Sequence, residues 1–246
     1  MGNSGLKEFT YAVPTNNPKR KDNETDIYRA AESIGKDIFD IGDKVTLPEL
    51  FERRFNNPNL VGFAHRVYDP NTQSFTNEVK TYTNGEYFEM MMAVGSAILG
   101  NDLAPEINEY KDFRLRFVGM YSPNSIQQAV VDTACAYYGL TVVPIYDTLG
   151  EEATVFIFNQ TKMRVVCTSA KHLEKLIKLN NEQNMFQHLK TIIVLDPENL
   201  PDHLSSSNKE GNIILYKWSH LLDMGRKKII KFPKLNKDSD ETIYIK

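Results

Sequence analysis

A chain of 246 residues, 41% apolar and 25% charged, can bury a substantial core in one or two domains and has the balance of an ordinary globular protein. A formal net charge of -3 excludes a general nucleic-acid binder, which needs a phosphate-neutralising surface. The 2 cysteines, Cys135 and Cys167, exclude a disulfide scaffold; they fall in a predicted helix and a predicted strand and read as small core residues of a reducing compartment.

Residues 1–26 are polar, charged and proline- and asparagine-bearing, and are expected to form a flexible arm. No basic start is followed by an apolar run, as a secretory signal would require, and the apolar stretch Met90–Leu99 is too short to span a bilayer. Gly2 suits myristoylation, but Leu6 stands where serine or threonine belongs. Without a signal, the glycosylation patterns at Asn23 and Asn159 read as chance. Residues 27–225 are expected to form an α/β region. A short helix is expected over Ile27–Asp40. Thr46-Leu-Pro-Glu49 is a capping box before Leu50, Phe51 and Phe55. Leu60–Asp69 and Ser74–Thr83 predict a β-hairpin around Asp69-Pro-Asn-Thr72. A second capping box, Thr83-Asn-Gly-Glu86, opens a helix whose inner face includes Phe88, Met91, Met92, Gly95 and Leu99, with Gly100 at its end. Its neighbouring methionines are expected to pack in the core.

The region from Phe117 to Asp196 alternates strand and helix signals. Arg114–Met120 predicts a strand, and Ser122-Pro123 a helix start carrying Ile126, Ala129, Val130, Thr133, Ala134 and Tyr137 on one face, with Gly139 as the stop. Thr141–Ile145 is a nearly continuous apolar run, as a strand covered on both faces requires. Thr148 and Glu151 predict a capping box for the next helix, with Phe156 and Ile157 inward. Met163–Thr168, a helix capped by Ser169 that carries Leu173, Leu176 and Ile177, and Thr191–Leu195 complete the pattern. Such alternation implies a mostly parallel sheet with flanking helices, and ligands of these sheets bind at the carboxyl ends of the strands. Tyr146, Asp147, Thr148, Leu149 and Gly150 therefore face the candidate site, unless that turn is simply a well-capped connection. Beyond Asp196 come a polar loop to Gly211, a strand over Ile213–Trp218 and a short helix over Ser219–Met224. Residues 226–246 hold a basic stretch suited either to a solvated linker or to peripheral contact with an anionic membrane or a nucleotide, and then Glu241–Ile245, which starts a further strand.

Catalytic signatures with local spacing are missing: there is no Gly-x-Gly-x-x-Gly, no Walker loop, no Gly-x-Ser-x-Gly elbow and no His-Glu-x-x-His. His65, His172, His188, His203 and His220 have no ligand partner at metal spacing and suit surface or hydrogen-bonded structural roles.

The run Ala136-Tyr-Tyr-Gly-Leu-Thr-Val-Val-Pro-Ile-Tyr-Asp-Thr-Leu-Gly150 resembles the signature of the long-chain acyl-CoA synthetases, within the adenylate-forming superfamily. Lys80-Thr-Tyr-Thr-Asn-Gly-Glu-Tyr87 is similar to that superfamily's early Thr-Tyr-x-Glu helix start, with two extra residues, and Thr46–Phe55, Val118–Asn124 and Thr191–Asp196 follow in the family's order. The resemblance runs from about Asp26 to the end and is most specific over Pro144–Gly150. It implies an incomplete copy of the superfamily's amino-terminal α/β subdomains. It also implies a parent enzyme that activates a long-chain fatty acid with ATP and Mg2+ to an acyl-adenylate and then transfers the acyl group to coenzyme A. Tyr146–Gly150 would then lie on the coenzyme A side of the cleft, though Asp147 and Thr148 could equally serve as helix caps. The expected location is the cytoplasm or the cytoplasmic face of the endoplasmic reticulum or peroxisome. The family's phosphate loop, magnesium segment and carboxy-terminal domain lie beyond Lys246, so this chain alone is expected to be inactive and has no assigned catalytic residue or metal ligand. A binding or regulatory module on the same scaffold is the alternative; an unrelated doubly wound nucleotide-binding protein is a third reading.

Overall fold

The computed structural model describes residues 12–15, 21, 23, 25–31, 34, 47–69, 72, 74–107, 115–183, 185–205 and 209–231. The chain divides into two units, Met1–Val45 and Thr46–Lys246. In the first unit β1 (Ala12–Pro14) pairs antiparallel with β2 (Tyr28–Ala30), and Thr15 N–H donates to Ile27 O at 2.8 Å. The expected helix over Ile27–Asp40 is therefore corrected at its start: a distant backbone partner outweighs a weak local helical signal. Most of the remainder of that stretch lies outside the described residues.

The second unit begins with α1 (Leu47–Phe55), β3 (Val61–Asp69), β4 (Ser74–Thr83) and α2 (Asn84–Gly100). Thr46, the expected cap of α1, lies outside the described residues. β3 and β4 form the predicted antiparallel hairpin, and Thr72 Oγ1 donates to Asp69 Oδ2 across its turn at 3.1 Å. The capping box of α2 is complete: Glu86 N–H donates to Thr83 Oγ1 at 3.2 Å, and Thr83 N–H to Glu86 Oε2 at 2.8 Å.

The central sheet is built from β5 (Phe117–Tyr121), α3 (Ile126–Tyr138), β6 (Thr141–Pro144), α4 (Glu151–Thr161), β7 (Val165–Thr168), α5 (Ala170–Gln183), β8 (Thr191–Val194), a 3-10 turn over Pro197–Asn199, α6 (Asp202–Ser205), β9 (Lys209–Glu210), β10 (Ile213–Lys217) and α7 (Trp218–Lys227). Its order is β6-β5-β7-β8-β10-β9, parallel throughout except for β9. Successive residues alternate between two cores. Val118, Met120, Val142, Val165, Cys167 and Ile193 pack under α2, α3 and α7. Phe117, Tyr121, Val143, Val166, Ile192 and Val194 pack under α4 and α5. Burial on both faces explains why these strands are apolar runs rather than alternating patterns.

Among the described residues both edges of this sheet are guarded. Thr141 and Ile145 donate their N–H groups to Arg116 O and Met120 O, each at 2.8 Å, so the intervening even positions of β6 face outward, and Pro144 there has no N–H to offer. On the far side β9 is two residues long.

Local starts differ from expectation in two places. The N-cap of α3 is Ser125, which accepts from Gln128 N–H at 3.1 Å; the Ser122 hydroxyl instead donates to Pro123 O. Gly139, in the left-handed region at φ 67, stops this helix as predicted. For α4 the N-cap is Gly150, with no side-chain cap, so the expected Thr148–Glu151 box does not form. The turn before it closes on itself through Leu149 N–H to Tyr146 O at 3.0 Å, and Glu151 and Glu152 complement the helix dipole directly. The inner face of α4 is correspondingly Thr154, Phe158 and Thr161, and Phe156, expected inward, is 63% exposed.

Candidate functional site

In the strand order, β6 lies on one side of β5 and β7 on the other, with β8 beyond β7. The chain thus reverses direction across the sheet between β5 and β7, and the crevice outside the carboxyl ends of those strands is where doubly wound sheets take ligands. The residues that converge there are Tyr121 at the end of β5, the Tyr146–Gly150 turn after β6, Ser169 and His172 after β7, and Asp196 after β8.

His172 is the hub. Its side chain is 7% exposed, with Nε2 2.6 Å from Asp147 Oδ1 and Nδ1 2.9 Å from Ser169 Oγ and 3.3 Å from Tyr121 O. Its ring stacks on Tyr121 at 4.2 Å between centroids and 15° between planes. With the Nε2 proton donated to Asp147, Nδ1 is left to accept the Ser169 hydroxyl proton. Lys171 Nζ reaches the other Asp147 oxygen at 3.7 Å. Lys175 Nζ lies 3.4 Å from the Tyr121 hydroxyl and 5.9 Å from its ring centroid. Thr168 Oγ1 donates to Tyr121 O at 2.9 Å, tying β7 to β5 at their ends.

The start of α5 is filled from within the chain. Ala170 N–H donates to Asp196 Oδ1 at 2.6 Å, so a carboxylate from the next strand end sits at the positive end of the helix, and Asn199 Nδ2 holds the other oxygen at 3.1 Å.

Of the residues expected to face the site, Asp147 is bonded into it. Leu149 packs against the second core, while Tyr146 is 63% exposed and Thr148 and Gly150 are also exposed. A Cβ on Gly150 would meet open space, so the glycine is not demanded by packing. His172, Ser169 and Tyr121 were not singled out for this place by sequence reasoning, because the contact between Asp147 and His172 joins two separate connections of the sheet. The available signal was the Ser169-x-x-His172 spacing directly after a strand end, which places both side chains over the crevice.

Ser169, His172 and Asp147 form a Ser–His–Asp series, yet Ser169 is 4% exposed and an acyl carbon cannot reach it. Cys135 and Cys167 are free and buried; burial raises the Cys135 thiol well above its ordinary range and pushes Cys167 up to about 12, so neither acts as a nucleophile. Among the described residues no group of three or more His, Cys, Asp or Glu side chains is placed to hold a metal ion. None of the helices among the described residues is long and apolar enough to cross a membrane.

The sequence profile of a family described as AMP-binding enzyme matches residues 64–245. Long-chain-fatty-acid–CoA ligase 5 of Mus musculus is 35% identical over 88 residues, which are 36% of this chain and 13% of that protein. Long chain acyl-CoA synthetase 6, peroxisomal, of Arabidopsis thaliana is 28% identical over 208 residues, 81% of this chain and 27% of its own length. The adenylation domain of carboxylic acid reductase from Segniliparus rugosus, solved with AMP and a co-purified carboxylic acid, superposes with a TM-score of 0.58 at 17% identity, covering 78% of this chain and 32% of that one. The fold is therefore that of adenylation domains, a mostly parallel sheet with flanking helices, present in part.

Proposed function

Because the chain belongs to the AMP-binding enzyme family, we propose that it is the amino-terminal portion of a long-chain fatty acid–CoA ligase. The parent uses ATP and Mg2+ to convert a fatty acid to an acyl-adenylate and then forms the coenzyme A thioester. The chain spans only 13% of the mouse ligase and 27% of the Arabidopsis synthetase it matches. The observation that carries this reading is the Pro144-Ile-Tyr-Asp-Thr-Leu-Gly150 run standing at the crevice of an adenylation-type sheet, in a chain whose curated relatives are named as fatty acid–CoA ligases and acyl-CoA synthetases. In this reading Tyr146, Asp147, Thr148, Leu149 and Gly150 border the coenzyme A side of the cleft. Residues 27–225 are the α/β region, and the basic stretch from Arg226 links it to the phosphate-binding half of the parent. What this chain's own residues contribute is shape: His172 and Lys171 hold Asp147, and through it the turn, against the strand ends.

Adenylation requires groups that cradle a triphosphate and neutralise charge as it develops. Incubated with palmitate, MgATP and coenzyme A, the 246-residue chain is expected to form no palmitoyl-CoA and to catalyse no fatty-acid-dependent exchange of pyrophosphate into ATP. Turnover in either assay would overturn the assignment of inactivity to this portion. A second reading, a binding or regulatory module on the same scaffold, is favoured by the guarded edges at Pro144 and β9, which suit a sheet able to stand on its own.

A further inference from the structure

The chain leaves α7 through a strap, Lys228–Lys231, whose residue Ile230 is held by two buried hydroxyls from two different helices. Ile230 N–H donates to Ser96 Oγ of α2 at 2.9 Å, and the Tyr138 hydroxyl of α3 donates to Ile230 O at 2.8 Å. The two hydroxyls lie 3.2 Å apart, so the Ser96 proton completes a ring by pointing at Tyr138 Oη. In that ring each hydroxyl donates once and accepts once, and both backbone groups of Ile230 are matched. Ser96 is 2% exposed and Tyr138 1%, whereas Lys228, Ile229 and Lys231 around them in the strap are exposed. Surface connections ordinarily satisfy their backbone with water; here the partners are side chains sealed from it.

The neighbouring residues are shaped around the ring. Gly95 has no Cβ, and one placed there would overlap the Tyr138 ring, so the glycine is what lets the ring lie flat against α2. Ile230 Cδ1 lies 3.4 Å from where a Gly100 Cβ would be, which seats the strap along the end of α2. Upstream, Arg226 Nε donates to Glu89 Oε1 at 3.0 Å, fixing the last turn of α7 to the same helix.

We propose that Ser96 and Tyr138 are positioning residues that clamp the Lys228–Lys231 strap and so fix the course of the chain out of α7. This deepens the ligase reading, in which that chain runs to the phosphate-binding half; the clamp itself is testable without it. The test uses the 246-residue chain with Tyr138→Phe, Ser96→Ala and the double substitution, followed by hydrogen exchange at the Ile230 amide and by the rate of limited trypsin cleavage after Lys228 and Lys231. Tyr138→Phe keeps the ring packing and removes only the hydroxyl.

Each single substitution is expected to speed exchange at Ile230 and cleavage in the strap by about ten-fold, with cleavage elsewhere unchanged. The double substitution is expected to add little, because a closed ring is already open once either hydroxyl is gone. Unchanged strap exchange and cleavage in both single variants would overturn the proposal. So would acceleration spread evenly over the chain, which would mean that the two residues merely stabilise the fold. Neither outcome bears on acyl-CoA formation, so failure of the clamp and failure of the ligase reading are separable.

Discussion

Gly225→Ala is expected to destabilise the chain by about 3 kcal/mol or more, lowering its thermal midpoint by about 10 °C. Gly225 sits in the last turns of α7, where that helix crosses α2 against Ala93. A Cβ on residue 225 would overlap the Ala93 carbonyl oxygen and lie 2.8 Å from Ala93 Cα. The obstacle is backbone in the middle of a helix, with Ala93 and Gly225 both buried, so no rotamer change relieves it. The helices must separate instead. That separation would strip apolar contact from the core beneath them, which includes Val94, Leu221 and Leu222, and would pull the Arg226–Glu89 ion pair apart. Calorimetry or chemical denaturation checks the value; a midpoint within a degree or two of wild type would mean that α7 docks on α2 in some other way.

His172→Ala is expected to cost about 2–3 kcal/mol and to free the Tyr146–Gly150 turn. The imidazole fills space under the Tyr121 ring and joins β5, the β6–α4 turn and the start of α5 in a single contact set. Removing it leaves the Ser169 hydroxyl without its partner nitrogen and releases Asp147 to solvent. Asp147→Ala removes only the half-exposed side of the pair and is expected to cost about 1 kcal/mol. In both variants the Leu149 amide, which closes the turn on Tyr146 O, should exchange faster, and the double variant should lose less than the sum of the two. Strict additivity with an unperturbed Leu149 amide would mean that the turn holds its shape independently of His172.

How much of this was legible beforehand depends on the range of the interactions. The apolar runs of β6, β7 and β8, the capping box at Thr83 and the stop at Gly139 are set by neighbours within four residues, and each stands where the pattern put it. Helix starts were less legible wherever two local bonds compete: Ser122 bonds to Pro123 O rather than capping α3, and the Tyr146–Leu149 bond closes the turn before Thr148 can cap α4. Which face of α4 is buried was also set by the sheet beneath it, where Phe158 packs in the core while Phe156 is exposed. The strand at Tyr28–Ala30 exists because of partners well upstream, Pro14 opposite Tyr28 and Ala12 opposite Ala30, which no short window contains. The site shows the same division. Strand-end logic brought the Tyr146–Gly150 turn to the crevice, but the residue that grips it, His172, is 25 positions beyond Asp147 and comes from another connection of the sheet.

The intact mass of the endogenous protein, captured with an antibody raised against residues 162–178, tests the ligase assignment most directly. The account predicts a product far heavier than 28.2 kDa, whose peptides continue past Lys246 into a glycine-rich, lysine-bearing phosphate loop. A cellular product that ends at Lys246 would contradict it and would make the binding or regulatory module the leading interpretation of this chain.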